Sequence, residues 1–174
     1  SKNLPNVYLL NGEFSDKEMN ELYNHSKVKA MVTTTKGEGF GRPLLEFSTT
    51  GKPIIASGWS GQLDFLNPSF TTLLKGHLEN VHPSSANDWL VAESKWFQVD
   101  PKHLRSSLKN VFKKYKEHSI KGKQQKNYVK NNFSWDNMST LIHNTLDDKN
   151  KVPEIPQEVK LELPTFTLPK LKKV

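Results

Sequence analysis

The order of elements across residues 7–57 predicts an α/β domain built around a parallel sheet. Three short apolar stretches, 7–11, 29–35 and 53–57, alternate with two segments patterned as helices. The connections are short, and strand–helix–strand alternation with short connections favours parallel strands. A glycine-rich turn, 37–41, sits where the second strand hands over to the second helix.

Each element has a local reason. VYLLN (7–11) reads as a short buried strand. The next segment opens with Ser15 and Glu18 spaced as a capping box, and Phe14 is placed to staple onto Met19. Met19, Leu22 and Tyr23 make that helix's apolar stripe. KAMVTTT (29–35) is rich in β-branched residues and reads as the second strand. Pro43 suits the first residue of a helix running to about Thr50, and Gly51 ends it. Pro53–Ser57 forms the third strand. A loop, 58–62, then leads to a short helix through Leu66, and 70–76 and 94–100 look extended with a polar stretch between them. Asp100 and Pro101 cap a long helix whose inward face is expected to be Leu104, Leu108, Val111, Phe112 and Tyr115. Ser134 caps another, with Met138, Leu141, Ile142 and Leu146 inward. One domain is therefore expected over 1–148. A tail follows over 149–174, an extended arm with four prolines and no helical period.

Composition narrows the classes of function. With no cysteine among the 174 residues, disulfides and thiolate metal sites are excluded. The six histidines show no paired spacing for a metal, and Asp147-Asp148 lies at a helix end without the placement of a metal-binding pair, so no metal is expected. No apolar run reaches the roughly 20 residues of a membrane span, and the start lacks the pattern of a signal peptide. The absence of Met at position 1 points to a processed or excised chain. The net charge of +7 is concentrated: residues 101–130 hold ten Lys/Arg against one acid, Glu117. Those lysines flank an apolar stripe with little interleaved aromatic, which argues against nucleic acid as a partner. The expectation is a soluble cytoplasmic protein, with at most a weak peripheral attraction to an anionic membrane surface.

The richest chemistry lies in GEGFGRPLLE, 37–46. Glu38 and Glu46 bracket the turn. Gly39 and Gly41 let backbone approach a ligand closely. The helix beginning near Pro43 would leave unpaired N–H groups facing an anion. Glu46, one turn in, has two oxygens that match a vicinal diol. Burying such acids without partners is costly, so the pattern suits a hydroxyl-rich, phosphorylated ligand. The alternative is an ordinary strand–helix glycine turn with a first-turn glutamate.

EGFGRPLLE followed by GKPIIAS closely resembles the E-G-F-G-x-P-x-x-E…G-x-P-V/I-I pattern of GT-B glycosyltransferases, especially glycosyltransferase family 4. The segment before it, GWSGQLDFL after it and FSWDNMSTLI near the end are also similar, so the likeness covers roughly residues 5–147. The resemblance implies the Rossmann-like, donor-binding C-terminal domain of a retaining, metal-independent transferase, here incomplete at its N-terminus. Its donor would be a nucleotide-diphosphate sugar, with no cofactor, and its acceptor a glycan or lipid-linked sugar. Carried over by residue, Glu38 would contact the donor sugar and is the best catalytic candidate. Gly39, Phe40 and Gly41 would line sugar and diphosphate by their backbone, with Pro43 and Leu44 at the helix start. Glu46 would hold the ribose.

Two departures follow from the same comparison. The family's diphosphate-neutralising Arg and Lys fall upstream of Val7 and are not in this sequence. The acceptor domain would have to be supplied in cis or by a partner subunit, so turnover by the chain alone is not expected. Arg42 stands where the family usually has an apolar residue. It either contacts the diphosphate in place of a missing cation or is a solvated rim residue. Asp64 either holds its loop or touches the donor, and Trp59 either stacks on a sugar or covers core. The alternative function is a non-catalytic nucleotide-sugar-binding module that completes or regulates a partner subunit.

Overall fold

In the computed structural model, residues 5–147 are described, apart from Asp88 and Ala92. The chain divides into two compact units, the first ending at Met138 and the second beginning at Ser139. The expected tail, 149–174, lies outside the described residues.

The first unit is an α/β assembly. Helix α1 spans Asp16–Asn24, and its capping box forms as the sequence requires: the Glu18 N–H donates to Ser15 Oγ at 3.3 Å, and the Ser15 N–H to Glu18 Oε2 at 2.8 Å. That hydrogen bonding holds the Glu18 carboxyl below its ordinary pKa. Strand β1 (Met31–Val32) is followed by α2 (Arg42–Ser48) and β2 (Ile54–Ser57). A 3-10 turn over Gly61–Asp64 leads to β3 (Thr72–Leu74), then the antiparallel hairpin of β4 (Gly76–Asn80) and β5 (Lys95–Val99). Helices α3 (Pro101–Lys113), α4 (Tyr115–Asn132) and α5 (Trp135–Asp147) close the described chain.

Strands β1, β2 and β3 form one parallel sheet in that order, with Met31 opposite Ile54 and Ile55 opposite Thr72. The central strand β2 is buried at all four positions, as expected of a strand covered on both faces. Alternation divides its side chains. Ile54 and Ala56 join Leu44, Phe47, Phe65, Leu66 and Val129 on one face. Ile55 joins Leu74, Phe97, Val99 and Val111 on the other. Helices α2 and α4 therefore cover one side, and α3 with the hairpin covers the other.

Two glycines set how closely these layers approach. Gly51 takes φ +76° just past the end of α2, the left-handed conformation that ends helices. Helix α4 crosses the same turn at Gly122, where an added Cβ would lie 2.6 Å from the Gly51 carbonyl oxygen and 2.8 Å from the Lys52 carbonyl carbon. The buried Gln125, one turn on, accepts from the Asn67 N–H at 3.1 Å and donates to the Phe65 oxygen at 2.6 Å, fixing the chain after the 3-10 turn.

Several expectations need correction. Residues 7–11 are neither a strand nor buried: Val7 is 88 % exposed, and no strand among the described residues pairs with the segment. The segment is apolar, but a strand also needs a neighbour to pair its hydrogen bonds. The long helix capped by Asp100 and Pro101, expected to carry its stripe to Tyr115, ends at Lys113, and after a break at Lys114 (φ −110°, ψ 36°) α4 begins. Helix α3 turns Ser107, Val111 and part of Leu104 inward and leaves Leu108 and Phe112 outside, while Tyr115 falls in α4 and is half-buried. In α5, Ser134 Oγ does accept from the Asn137 N–H at 3.2 Å, yet Met138, Leu141, Ile142 and Leu146 are exposed. Periodicity identifies a stripe without supplying the surface that covers it.

The Gly122 contact gives a direct test. Gly122→Ala should destabilise the protein by about 1–3 kcal/mol, because backbone rather than a mobile side chain must yield. Urea unfolding measures it, and a variant as stable as the parent would show that α4 is free to move off the turn.

Candidate functional site

Two loops meet at the carboxyl ends of β1 and β2, the edge where open α/β sheets bind ligands. The first is 37–41 and the second 58–61. Their junction is Glu38. Its N–H donates to Ser60 Oγ at 3.1 Å, and its carbonyl oxygen accepts from the Ser60 hydroxyl at 2.7 Å and from the Gly61 N–H at 3.1 Å. Ser60 adopts φ +79°, the only non-glycine residue with positive φ among the described residues. This is a costly conformation for a side-chain-bearing residue, held by the surrounding hydrogen bonds.

Glycines permit the approach. A Cβ on Gly61 would fall 2.1 Å from the Gly39 oxygen. Gly41, at φ +88°, lies over the buried Gln62, whose Cβ would be 3.3 Å from a side chain there. Gln62 donates through Nε2 to the Ser57 oxygen at 2.9 Å, while its buried Oε1 has no protein partner. Phe40 rests its ring on Phe65 at 5.1 Å, which pins the loop's apex to the core.

This geometry leaves a run of donors open. Among the described residues, nothing accepts from the N–H groups of Gly39, Phe40, Gly41 or Arg42. Successive unengaged amides in a turn make a concavity that favours anions. Helix α2 has only seven residues, so the donors are those of the loop more than of a helix dipole. Glu38 is half-buried at the start of this run.

The remaining candidates divide into contact and support. Leu44 is in the core, and its N–H is spent on the Gly41 oxygen at 2.9 Å. Pro43 is the second residue of α2 and has no N–H. These two shape the turn. Arg42 Nε donates to Glu46 Oε1 at 2.6 Å across one helical turn, an exposed pair that keeps the guanidinium firmly charged. Both line a groove of about 400 Å³ between α1 and α2, which also reaches Phe14, Asn20, Tyr23 and Thr49. Burial and the nearby Glu46 carboxylate raise the pKa of the Tyr23 hydroxyl.

Asp64 closes the 3-10 turn instead of opening it, and it is exposed. Trp59 stacks nearly parallel on Phe97 at 6.2 Å, with interplanar angle 10°, so one face of its ring is occupied by the protein. Among the described residues no cluster of His, Asp and Glu is arranged for a metal ion. No helix there is long and apolar enough to cross a membrane. Sequence reasoning missed Ser60 and Gln62. The signal available was the pair of glycines in Gly58-Trp59-Ser60-Gly61, since glycine serves where backbone must approach closely.

No protein-family model matches the chain, and no curated protein matches it either.

Gly61→Ala should push the two loops apart. The expected outcome is a stability loss of about 1–3 kcal/mol with faster hydrogen exchange at the Glu38 and Gly61 amides. Unchanged exchange there would show that the loops are not held by this contact.

Proposed function

We propose that the 37–46 turn and its adjoining groove hold the donor of a glycosyl transfer, a nucleotide-diphosphate sugar. On this reading the diphosphate lies on the amides from Gly39 to Arg42, sugar hydroxyls meet Glu38, and the ribose diol meets Glu46. The nucleoside runs into the groove toward Phe14. The observation that carries the proposal is the run of four unengaged backbone N–H groups with one acid at each end. Anionic, diol-bearing ligands match both features at once, whereas a plain phosphate site would have no use for the two carboxylates.

The Arg42–Glu46 pair fits the same scheme. An exposed pair of this kind is readily exchanged for other partners. Ligand binding would release Glu46 to the ribose and turn Arg42 to the diphosphate, each gaining a charge-assisted hydrogen bond. During transfer, negative charge grows on the departing diphosphate. Fixed amides and a guanidinium aimed there would stabilise it without reorganising. The unit would then be the Rossmann-like donor half of a retaining GT-B glycosyltransferase, with acceptor-binding surface contributed by another domain in cis or a partner subunit in trans.

Calorimetric titration with UDP-, GDP- and ADP-sugars tests this. One member of the panel should bind saturably, Glu46→Ala should weaken it about tenfold to a hundredfold, and Arg42→Ala about tenfold. Failure of every nucleotide sugar to bind, or full affinity in Glu46→Ala, would overturn the assignment. Unaltered affinity in Arg42→Ala alone would return Arg42 to the solvated rim.

A further inference from the structure

Helix α3 presents an outward face unlike that of an ordinary solvated helix. Its thirteen residues contain Lys102, Arg105, Lys109 and Lys113 and no acid. Among the described residues, none of these four cations is ion-paired with a carboxylate. Arg105, Lys109 and Lys113 follow one another at intervals of four, so they form a row along the helix. Beside that row runs a second, Leu108 and Phe112, also four apart. Phe112 is 85 % exposed and Leu108 41 %, although their neighbours Ser107 and Val111 face the core. At the helix start, Lys102, Arg105 and Lys109 border a shallow groove of about 370 Å³ with Pro101 and Ser106.

We infer that this face of α3 is a docking surface for an anionic lipid membrane. The helix is about 20 Å long, and lying parallel to a bilayer it would set Phe112 and Leu108 between headgroups. The long stems of Arg105, Lys109 and Lys113 would then carry their charges to phosphate level. Charge complementarity identifies the occupant: an unpaired cationic row calls for a polyanionic surface. The apolar row selects among such surfaces. Leu108 gains by burial at headgroup depth, and Phe112 is the one Phe, Tyr or Trp in α3, whereas single-strand binders stack successive bases on several aromatics. Ten Lys/Arg against Glu117 alone across 101–130 extend the attraction into α4. With only two apolar side chains on the face, binding is weak, reversible and salt-sensitive.

The test is co-sedimentation of the full chain with vesicles of neutral phosphatidylcholine, and with vesicles containing about one third phosphatidylserine, at low and high salt. Binding is expected to the anionic vesicles only, weakening as salt rises. The doubly reversed Arg105→Glu/Lys109→Glu variant should bind at least about tenfold less, and Phe112→Ser about fivefold less, with its salt dependence retained. All three positions are exposed, so the fold is expected to survive, and circular dichroism checks it. Lys113→Gln provides a milder variant whose binding should fall detectably. Equal binding to neutral vesicles, full binding by the charge-reversed protein, or full binding by Phe112→Ser would overturn the inference. So would a single-stranded oligonucleotide that binds more tightly than the anionic vesicles through the same residues.

Discussion

Gly61 lies so close to the Gly39 carbonyl that the second loop could carry no side chain at that contact: a Cβ on Gly61 would fall 2.1 Å from the Gly39 oxygen, whereas one on Gly39 would meet open space. From this approach follow the three hydrogen bonds on the Glu38 backbone, the positive φ of Ser60 and the exposure of the amides that come next. The constraint is mechanical. The Glu38 N–H and carbonyl are engaged by the second loop. Among the described residues, no protein group accepts from the N–H groups that follow, Gly39 to Arg42. A binding edge is thus produced by the satisfaction of one residue at the expense of the next four.

The layers beneath hold that edge in place. Strand β2 is buried on both faces and delivers Ser57, whose hydroxyl donates to the Thr35 oxygen at 2.7 Å. Gln62 and Gln125 are polar side chains in the core, each used as a bracket: the first ties the second loop back to β2, the second ties the following chain to α4. Buried amides in such positions act through geometry more than net energy, since each replaces water with one well-placed partner. Loop positions at the sheet edge therefore inherit the rigidity of the core.

Electrostatics divides the molecule into two regions. The 37–46 turn carries Glu38 and Glu46 with one cation, Arg42, paired to Glu46. Helix α3 carries cations without acids. An anionic ligand at the first and an anionic surface at the second make separate demands, and neither region requires the other to be occupied. Lys52 illustrates a third use of charge, purely structural. Its ammonium donates to the Tyr23 and His25 oxygens at the end of α1, at 2.5 and 2.8 Å, and burial with the nearby Lys29 lowers its pKa.

Much of this was legible in the chain itself, because it is written in local rules. Ser15 with Glu18, Pro43, Gly51 and Asp100 mark helix ends through hydrogen bonds and dihedrals that involve only near neighbours. The alternation of apolar runs and helical stripes likewise implied an α/β unit with parallel strands. Tertiary structure alone decided which apolar residues found cover. Val7–Leu10 and Phe112 look like core by composition and lie outside it, because burial depends on a partner surface that no local pattern specifies. It also decided that Ser60 would grip Glu38 and that Arg42 would close on Glu46. Contacts between loops 22 residues apart arise from how strands are laid side by side, and sequence spacing does not encode that distance.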